Sequence, residues 1–547
     1  MKKAISILLI VASLISCLAS CKPTEKPEES SKPEIIRPEN PDKTLLGKTK
    51  ETYEDGNVGC TGLTILAECN EGVDFDINSY KDEENKIYYL FLPCRADMSS
   101  VTFKAKHRDG SESGPYTADF SDEEISENEK AIGTTSEYTI IAMQSNLPSI
   151  MIEIDESYVT LDQMYGDPEH DTYAYGDMVA TVTTEMANAK GWETRYESVD
   201  KKANSYCSMK IRGRGNSTWG YSKKPYQINL ENSVDLLGMG SSKKYVLLAN
   251  YIDASGLRTQ LAFDMGLLSG IEYTSEHRQV DLFINGEYLG MYLLAEKVEV
   301  GENRVDIDEE KDVLYEKDNF ATQEENFSFQ TKHVNSKERG FRIHSPEDES
   351  SFSENKARIE WAEEVLYGIN DAMFEQYFDL ESWAKMYLLQ LYTMNSDAYY
   401  GSFYFYYNHT DGKLYACSPW DFDWSLGVSW GNTDFYVNPM LYDIDHIEWI
   451  KPMLEHKNFI EAVLKVYYED GVKEIIEGMP ELVDKHGQEN RASGLMNEIV
   501  NDIYCYPTDI TDYDGSVAYV REVCVKRIEY VENKMEVYAL LFGYNAN

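Results

Sequence analysis

Residues 403–424 read FYFYYNHTDGKLYACSPWDFDW, and this stretch decides the fold. Apolar and aromatic residues flank Asp411-Gly412, a dipeptide that favours the backbone of a tight hairpin turn. The second strand leads directly into Asp421 and Asp423, which stand among aromatic residues. We therefore predict a β-hairpin that delivers two aspartates to one place.

The sequence before this hairpin differs from the sequence after it. From about residue 156 strand-like segments dominate, with one helical stretch, DASGLRTQLAFDMGLL (residues 253–268). After residue 353 apolar residues recur at three-to-four spacing, which indicates amphipathic helices. This order predicts an α+β domain over residues 156–547. It has a β-rich lobe (about 156–300), an insertion or long loop (about 302–352) and a helical lobe (353–547), with the hairpin at the junction.

The segment before this domain, residues 48–155, is predicted to be all-β. The pieces GLTILAEC, KIYYLFLPC, SVTFKAKHR, YTIIAM and SIMIEI are short and strand-like, and turn-rich or acidic stretches separate them. Such spacing is typical of a small immunoglobulin-like sandwich. No catalytic constellation stands out in it, so a spacer or binding module is expected.

The first residues have the pattern of a lipoprotein signal peptide. Lys2 and Lys3 precede an apolar run that ends at Cys21, and Leu18-Ala-Ser-Cys21 resembles a bacterial lipobox. Cys17 is the alternative lipid site, and an ordinary signal peptide with incidental cysteines is the other interpretation. We expect residues 1–20 to be removed, Cys21 to be acylated and residues 21–47 to form a disordered tether. The protein would then be extracytoplasmic and lipid-anchored to the bacterial cell membrane or surface.

The charge of the chain restricts its partners. With 51 basic and 96 acidic residues, the formal net charge is −45. Nucleic acid would be repelled by such a chain. The charge favours a basic protein partner, or simply a solubilised surface.

The first segment that suggests chemistry is MKIRGRGNSTW (209–219), which continues to KKPY (223–226). Gly213 and Gly215 permit a strand-to-strand turn that approaches a ligand closely. Cations and polar donors surround this turn: Arg212, Arg214, Asn216, Ser217, Thr218, Lys223 and Lys224. Their clustering in an acidic chain predicts an anion site, whereas a plain β-hairpin would explain the glycines alone.

Two acidic segments follow. Asp397 lies just after a predicted helix, where the helix dipole does not stabilise a carboxylate, so capping does not explain it. Asp421 and Asp423 are costly to bury unless a cation compensates them. In an extended segment both would face the same side. Two carboxylates with phosphate oxygens and water suit Mg²⁺, so this spacing predicts a metal site.

Taken in order, these motifs resemble the CotH (spore-coat protein H) family of atypical protein kinases. The resemblance rests on RGRGNSTW with KKPY, DASGLRTQLA, INGEYLGMYLLAEKV, NSDAYYGSFYFY and PWDFDWSLG, and covers residues from about 205 to 430. It implies a bilobal kinase-like fold that binds ATP and Mg²⁺. It also implies phosphorylation of Ser residues in other proteins and in the kinase itself.

The resemblance also implies roles for the acidic residues. Asp397 matches the catalytic aspartate that accepts the proton of the substrate hydroxyl. Asp421, and with weaker support Asp423, match the metal-binding position. Ser402 stands where this family commonly has a metal-binding Asn, and a hydroxyl binds Mg²⁺ less strongly, which puts a second metal in doubt.

For the nucleotide, the resemblance places Arg214, Asn216 and Lys224 against the phosphates. Lys223 and Lys244 are the alternatives for the phosphate-binding lysine. Glu296, at the end of the strand YLLAE, is expected to flank the adenine at the hinge, and an ordinary exposed glutamate is the competing interpretation.

Two other classes of function compete with a kinase. A surface adhesin or scaffold could keep the fold without catalysis, although it would have no use for all three aspartates. A glycoside hydrolase would need Asp397 and Asp421 to flank a sugar cleft, and leaves the basic segment without a role. The kinase reading further predicts a basic, Ser-containing protein substrate.

Overall fold

The computed structural model describes residues 50–51, 60–121, 138–197, 208–323, 327–334, 336–428, 443–501, 503, 510 and 512–544. All of them belong to one unit of the chain, Glu39–Asn547. Cys17, Cys21 and the predicted tether lie outside the described residues. None of the helices in the described ranges combines the length and the apolarity that a membrane crossing requires.

The N-terminal segment folds into two four-stranded sheets over one apolar core. One sheet has the order β1-β8-β5-β4 and the other β3-β2-β6-β7. Alternating apolar residues face the shared core, among them Leu63, Leu90, Phe103 and Ile140. The strands are β1 (Lys50–Glu51), β2 (Cys60–Ile65), β3 (Ile77–Asn78), β4 (Tyr80–Asp82), β5 (Ile87–Leu92), β6 (Val101–His107), β7 (Glu112–Ala118) and β8 (Thr139–Gln144).

The next strands build a closed barrel. They are β9 (Ser149–Ile154), β10 (Ala174–Thr181), β11 (Arg195–Glu197), β12 (Met209–Gly213), β13 (Tyr226–Asp235), β14 (Ser241–Leu248), β15 (His277–Ile284) and β16 (Glu287–Glu296). The sheet runs β11-β10-β12-β13-β14-β16-β15-β9, and β9 pairs again with β10, which closes the ring. Inward-facing residues such as Ile211, Ile228 and Leu247 fill it.

The barrel changes the predicted domain boundary. SIMIEI was expected to belong to the sandwich, with the next domain starting at residue 156. Instead, β9 pairs antiparallel with β10 and parallel with β15. Ile150, Ile152 and Ile154 alternate into the barrel core, and burying them there assigns the strand to the barrel. Ser149–Ile154 is therefore a strand of the barrel sheet and not of the two preceding sheets.

A five-stranded antiparallel sheet joins the barrel to the helices. It contains β17 (Val313–Asp318), β18 (Ser328–Phe329), β19 (Gly340–Ser345), β20 (Phe403–Asn408) and β21 (Lys413–Ala416), in the order β18-β19-β17-β20-β21. The hairpin β20–β21 confirms the prediction from Asp411-Gly412, and Gly412 has the positive φ, 76°, that this turn requires.

The segment 302–352 is not the predicted insertion or long loop. Its strands β17 and β19 pair with each other, and β17 also pairs with β20 of the hairpin. The polar sequence misled the prediction because Glu316, Lys317 and Asp318 are charged yet buried. This segment therefore places charged side chains at the centre of the molecule.

The helices after residue 349 pack mainly on one another, as their apolar periodicity predicts. In chain order the helices of the structure are α1 (Leu161–Tyr165), α2 (Thr184–Lys190), α3 (Arg258–Leu268), α4 (Glu349–Tyr367), α5 (Asp371–Tyr377), α6 (Leu380–Thr393), α7 (Ile450–Met453), α8 (Lys457–Tyr468), α9 (Val472–Glu489), α10 (Arg491–Val500) and α11 (Tyr513–Phe542). The described chain is thus α+β, as predicted.

Candidate active site

Two loops that carry the predicted acidic residues lie side by side. We call them the acidic loops: residues 393–402, after α6, and residues 418–427, after β21. The backbone N–H of Leu426 donates to the Thr393 carbonyl at 2.7 Å. The Ser396 N–H and hydroxyl both donate to the Trp424 carbonyl, at 3.1 and 3.2 Å. These bonds fix the two loops to each other.

The same contacts bring Asp397 towards Asp421. The side-chain amide of Asn395 donates to the Asp421 carbonyl at 3.2 Å, and its oxygen accepts from the Asp397 N–H at 3.0 Å. Asn395 therefore bridges the two acidic loops. Asparagine suits this position because one side chain supplies both a donor and an acceptor.

The three carboxylates resist ionisation together. Desolvation raises the pKa of Asp397 to about 6, and the charge of Asp421 adds to the shift. Desolvation also raises the pKa of Asp421. The pKa of Asp423 rises well above its ordinary value through desolvation and through the charges of Asp421 and Asp397. Carboxylates crowded in this way need a cation before all of them can be charged.

The backbone at this point is strained. Asp421 has φ of +66° and Ser402 has φ of +49°, in the left-handed region that residues other than glycine seldom adopt. The bend at Asp421 differs from the extended segment predicted there. The Ser402 side chain acts to lower the pKa of the Asp421 carboxyl, which places it beside that aspartate. Strain of this kind concentrates at functional sites.

One oxygen of the acidic pair has no protein partner. Asp423 Oδ1 is buried and accepts no hydrogen bond from the described residues. Asp421 is exposed as a residue, so the pair lies next to solvent. A buried carboxylate oxygen without a partner is costly, and an external cation would remove that cost.

Arg214 faces this acidic pair from the barrel. It follows β12, and the charges of Asp421 and Asp423 act on it, while desolvation lowers the pKa of its guanidinium. The guanidinium also lies over the ring of Trp420, 5.8 Å from the centroid. Trp420 in turn packs on Phe263 of α3 at 5.6 Å. Of the predicted phosphate-binding residues, Arg214 is the one brought to the aspartates.

The other predicted phosphate-binding residues of the glycine turn, the turn that contains Gly213 and Gly215, make contacts elsewhere. The Lys224 ammonium folds back and donates to the Trp219 carbonyl at 2.5 Å. Lys223 is buried and donates to the Met291 carbonyl, also at 2.5 Å. Asn216 is exposed, and its side chain makes no capping bond. None of the contacts found among the described residues joins these side chains to the three aspartates.

The two glycines of this turn also have internal reasons to be glycine. A Cβ on Gly213 would come within 2.6 Å of the Trp219 ring. Gly215 has φ of +81°, and a Cβ there would meet the Thr218 hydroxyl. Close approach to a ligand is therefore not needed to explain either glycine, contrary to the argument from sequence.

Glu296 lies on the barrel side of β16 and not on the acidic cleft. Its carboxylate pairs with Arg304 and accepts from the Glu276 N–H at 2.9 Å. Burial raises its pKa to about 7, although Arg304 opposes the shift. Glu296 is buried, so it is not the exposed glutamate of the alternative interpretation, while its contact with adenine at the hinge stays a prediction. It ties β16 to Arg304.

Sequence reasoning missed charged residues supplied by the segment 302–352. The positive charge of Arg339 partly opposes the rise in the pKa of Asp397. Its guanidinium lies over the ring of Tyr400, 4.2 Å from the centroid. Glu316 pairs with His344 and its charge acts on Asp421. Glu316 lies on strand β17, which pairs with β20 of the hairpin. This pairing brings Glu316 close to Asp421, which follows the hairpin. No motif marked these residues, because their partners are distant in sequence.

A second missed residue is Lys297, one position after Glu296. It is half-buried, and besides desolvation the positive charges of Lys244, Arg212 and Arg214 lower its pKa, against the opposing charge of Glu299. Lys297 thus belongs to a group of cations on the outside of the barrel, next to Arg214. The sequence signal that points to it is the strand alternation in YLLAEKV, which puts Glu296 and Lys297 on opposite faces.

The carboxylate oxygens of this site could hold Mg²⁺ only if a bound ligand supplied further oxygens. Across the described residues, no group of three or more His, Cys, Asp or Glu side chains is arranged to hold a metal ion by itself. Mg²⁺ commonly takes one or two carboxylates and completes its shell with phosphate oxygens and water. Asp421 and Asp423, with the unpartnered Oδ1, meet that requirement.

The family of the chain follows from comparison with a protein-family model. The chain belongs to the CotH family, since the model of the CotH kinase protein family matches residues 211–531. That range contains both acidic loops, Arg214 and Lys297. The resemblance inferred from the motifs is confirmed.

Other comparisons add little. No curated protein matches the chain. Among solved structures, a DUF4623 family protein from Bacteroides eggerthii is similar over 36% of this chain, at 10% identity and a TM-score of 0.13. The chain spans 58% of the length of that structure. A TM-score this low carries no argument about fold or function.

Proposed function

We propose that this protein is an ATP- and Mg²⁺-dependent kinase that phosphorylates Ser residues of surface or coat proteins and of its own chain. The observation that carries the proposal is that the charges of Asp397, Asp421 and Asp423 act on one another, while Asp421 and Asp423 also act on Arg214; we take this cluster to line the nucleotide cleft. Phosphoryl transfer depends mainly on positioning and on neutralising charge. This cleft supplies both kinds of charge in one place.

Asp421 and Asp423 would hold the metal. A bound Mg²⁺ supplies the positive charge that neutralises the transferring phosphate. Asp421 would offer its carboxylate, and Asp423 would offer the oxygen that lacks a partner among the described residues. Ser402, which lies beside Asp421, would orient that carboxylate. Arg214, on the opposite wall, would bind phosphate oxygens.

Asp397 would act as the base. Its carboxylate would accept the proton of the substrate Ser hydroxyl as that oxygen bonds to phosphorus and the bond to the leaving phosphate breaks. A pKa raised to about 6 makes it a better proton acceptor than an ordinary aspartate while it stays ionised at neutral pH. Arg339 would favour the charged form of this carboxylate.

The proposal extends to the architecture. The barrel and the helical region would be the two lobes of an atypical kinase, with nucleotide between them. The N-terminal sheets would form an immunoglobulin-like spacer, and acylation of Cys21 would anchor the protein outside the cell. The net charge of −45 favours a basic, Ser-containing substrate protein.

The test is transfer of radiolabelled phosphate from ATP to a basic Ser-containing protein and to the chain itself, with and without Mg²⁺. Wild type should transfer only with Mg²⁺. Asp397→Ala should lose transfer by about 10²–10⁴-fold, the usual contribution of a general base, and keep MgATP binding. Asp484→Ala, which removes a half-exposed carboxylate paired with Arg521, is the matched control and should transfer normally.

Two results would contradict the proposal. If the wild type binds no MgATP and transfers no phosphate, a catalytically silent adhesin or scaffold is the better description. If Asp397→Ala transfers at the wild-type rate, Asp397 is not the base.

A further inference from the structure

The cations beside Arg214 are arranged by the barrel's strand register. In the antiparallel pair β14–β16, Tyr245 lies opposite Glu296. Lys297 follows the last residue of β16, and continuing the register by one position places it opposite Lys244, whose positive charge acts on it. Both side chains point away from the barrel interior, since those of Tyr245 and Glu296 point towards it. Like charges directly opposite each other destabilise a sheet, so this pair is a cost that folding alone does not explain.

The partners of these cations divide them into two groups. Lys244 pairs with Glu299 at 2.6 Å, and Arg212 pairs with Asp171 at 3.0 Å. For Lys297 and Arg214, no carboxylate lies within ion-pair distance in the part of the chain that the structure describes. Two half-buried cations without an anion are unusual in a chain of net charge −45.

The other lysines of the glycine turn are already engaged. Lys224 donates to the Trp219 carbonyl and lies 5.1 Å from the ring centroid of the same residue. Lys223 is 3% exposed and donates to a backbone carbonyl of β16. Neither ammonium can reach an external phosphate without breaking these contacts. Lys297 has no such contact to lose.

We propose that Lys297, together with Arg214, is the lysine that binds the phosphate tail of the nucleotide. This inference rests on the proposed function, because it names a ligand-binding residue of the same site. The two unpaired cations would hold phosphate oxygens, and the unpaired carboxylates across the cleft would hold the metal bound to them. Lys244 would keep Glu299 away from Lys297 through its own ion pair.

The test compares two lysines in the full chain by calorimetric titration with MgATP and, separately, with adenosine. Lys297→Met should weaken MgATP binding at least tenfold and leave adenosine binding within twofold of wild type. Lys224→Met is the matched control and should stay within twofold for both ligands. Lys297→Arg should keep most of the MgATP affinity, because it keeps the charge.

A thermal unfolding scan separates binding from folding. Lys297→Met should unfold no earlier than wild type, since it removes a repulsive cross-strand pair. If the wild type binds MgATP and Lys297→Met binds it equally well, this inference alone is overturned. The same holds if Lys224→Met abolishes MgATP binding. Absence of MgATP binding by the wild type overturns the proposed function and the inference with it.

Discussion

Two Asp-x-Asp pairs in this chain are alike in sequence and opposite in their surroundings. Asp443 and Asp445 share Lys534, whose ammonium lies 2.6 and 2.5 Å from their carboxylates. Asp421 and Asp423 have no cation within ion-pair distance among the described residues. Asp423 Oδ1 lacks a hydrogen-bond partner as well.

The tyrosines around the first pair complete the contrast. Tyr387 and Tyr538 donate to Asp445 at 2.9 and 3.0 Å, and Tyr530 donates to Asp443. This network joins α6 to α11, and the charge of its carboxylates is neutralised by Lys534 of the same protein. The Asp421–Asp423 pair differs because its neutralising charge must come from outside the protein. Spacing alone therefore does not identify a metal site, whereas the balance of charges around it does.

The largest expected effect concerns nucleotide binding. Asp421→Ala should weaken Mg²⁺-dependent binding of ATP at least about 100-fold, which corresponds to about 2.7 kcal/mol. Asp443→Ala removes a carboxylate of the same spacing and should leave the affinity within twofold. Titration of a fluorescent ATP analogue with and without Mg²⁺ measures both. If both variants lose the same ATP affinity, the two Asp-x-Asp pairs do not differ in metal binding and the account is contradicted.

A smaller effect is expected on stability. Lys534→Met leaves Asp443 and Asp445 without their cation and should lower the free energy of unfolding by about 2 kcal/mol, less than for a fully buried pair because both carboxylates are partly exposed. Urea denaturation of the isolated protein measures it. Mg²⁺-dependent ATP binding should survive below the unfolding transition. A variant as stable as wild type would show that the network contributes nothing to folding.

The smallest effect is a gain in stability at the proposed active site. The folded state raises the pKa of Asp397 to about 6, so it favours the protonated form. The associated stability is present below the ordinary value near 3.8 and is lost as pH rises through about 6. Without metal, Asp397→Asn should therefore unfold about 2 °C later than wild type at pH 7.5 and together with it at pH 3.5.

Thermal scans at the two pH values check this prediction. Asp484→Asn, on the surface, is the control and should follow wild type at both. If Asp397→Asn unfolds earlier than wild type at pH 7.5, the carboxylate stabilises the fold and the cost assigned to burying its charge is wrong.

The sequence predicted the parts of this molecule whose signals are local. The hairpin follows from Asp411-Gly412, the helices from apolar spacing, and the acidic loops from Asp397 and Asp421 standing where capping and surface solvation do not explain them. The family follows from several motifs in order. Each of these signals lies within a few residues of what it predicts.

Long-range pairing is what the sequence did not reveal. Closure of the barrel depends on β9 pairing with both β10 and β15, and nothing in SIMIEI specifies those partners. Strands β17 and β19 look like a polar insertion because they carry charged residues. Those charges find partners only through tertiary contacts, as in the ion pair of Lys317 with Glu448 at 2.8 Å. The sequence points to Lys224, with Lys223 and Lys244 as alternatives, and not to Lys297, because only the fold shows which ammonium is already engaged.

The most direct test of the central claim is anomalous diffraction from a crystal grown with Mn²⁺ and a non-hydrolysable ATP analogue. The account predicts a manganese peak between Asp421 and Asp423, with phosphates reaching Arg214 and Lys297 across the cleft. A peak at Asp443 and Asp445, or a nucleotide bound away from the acidic loops, would contradict it.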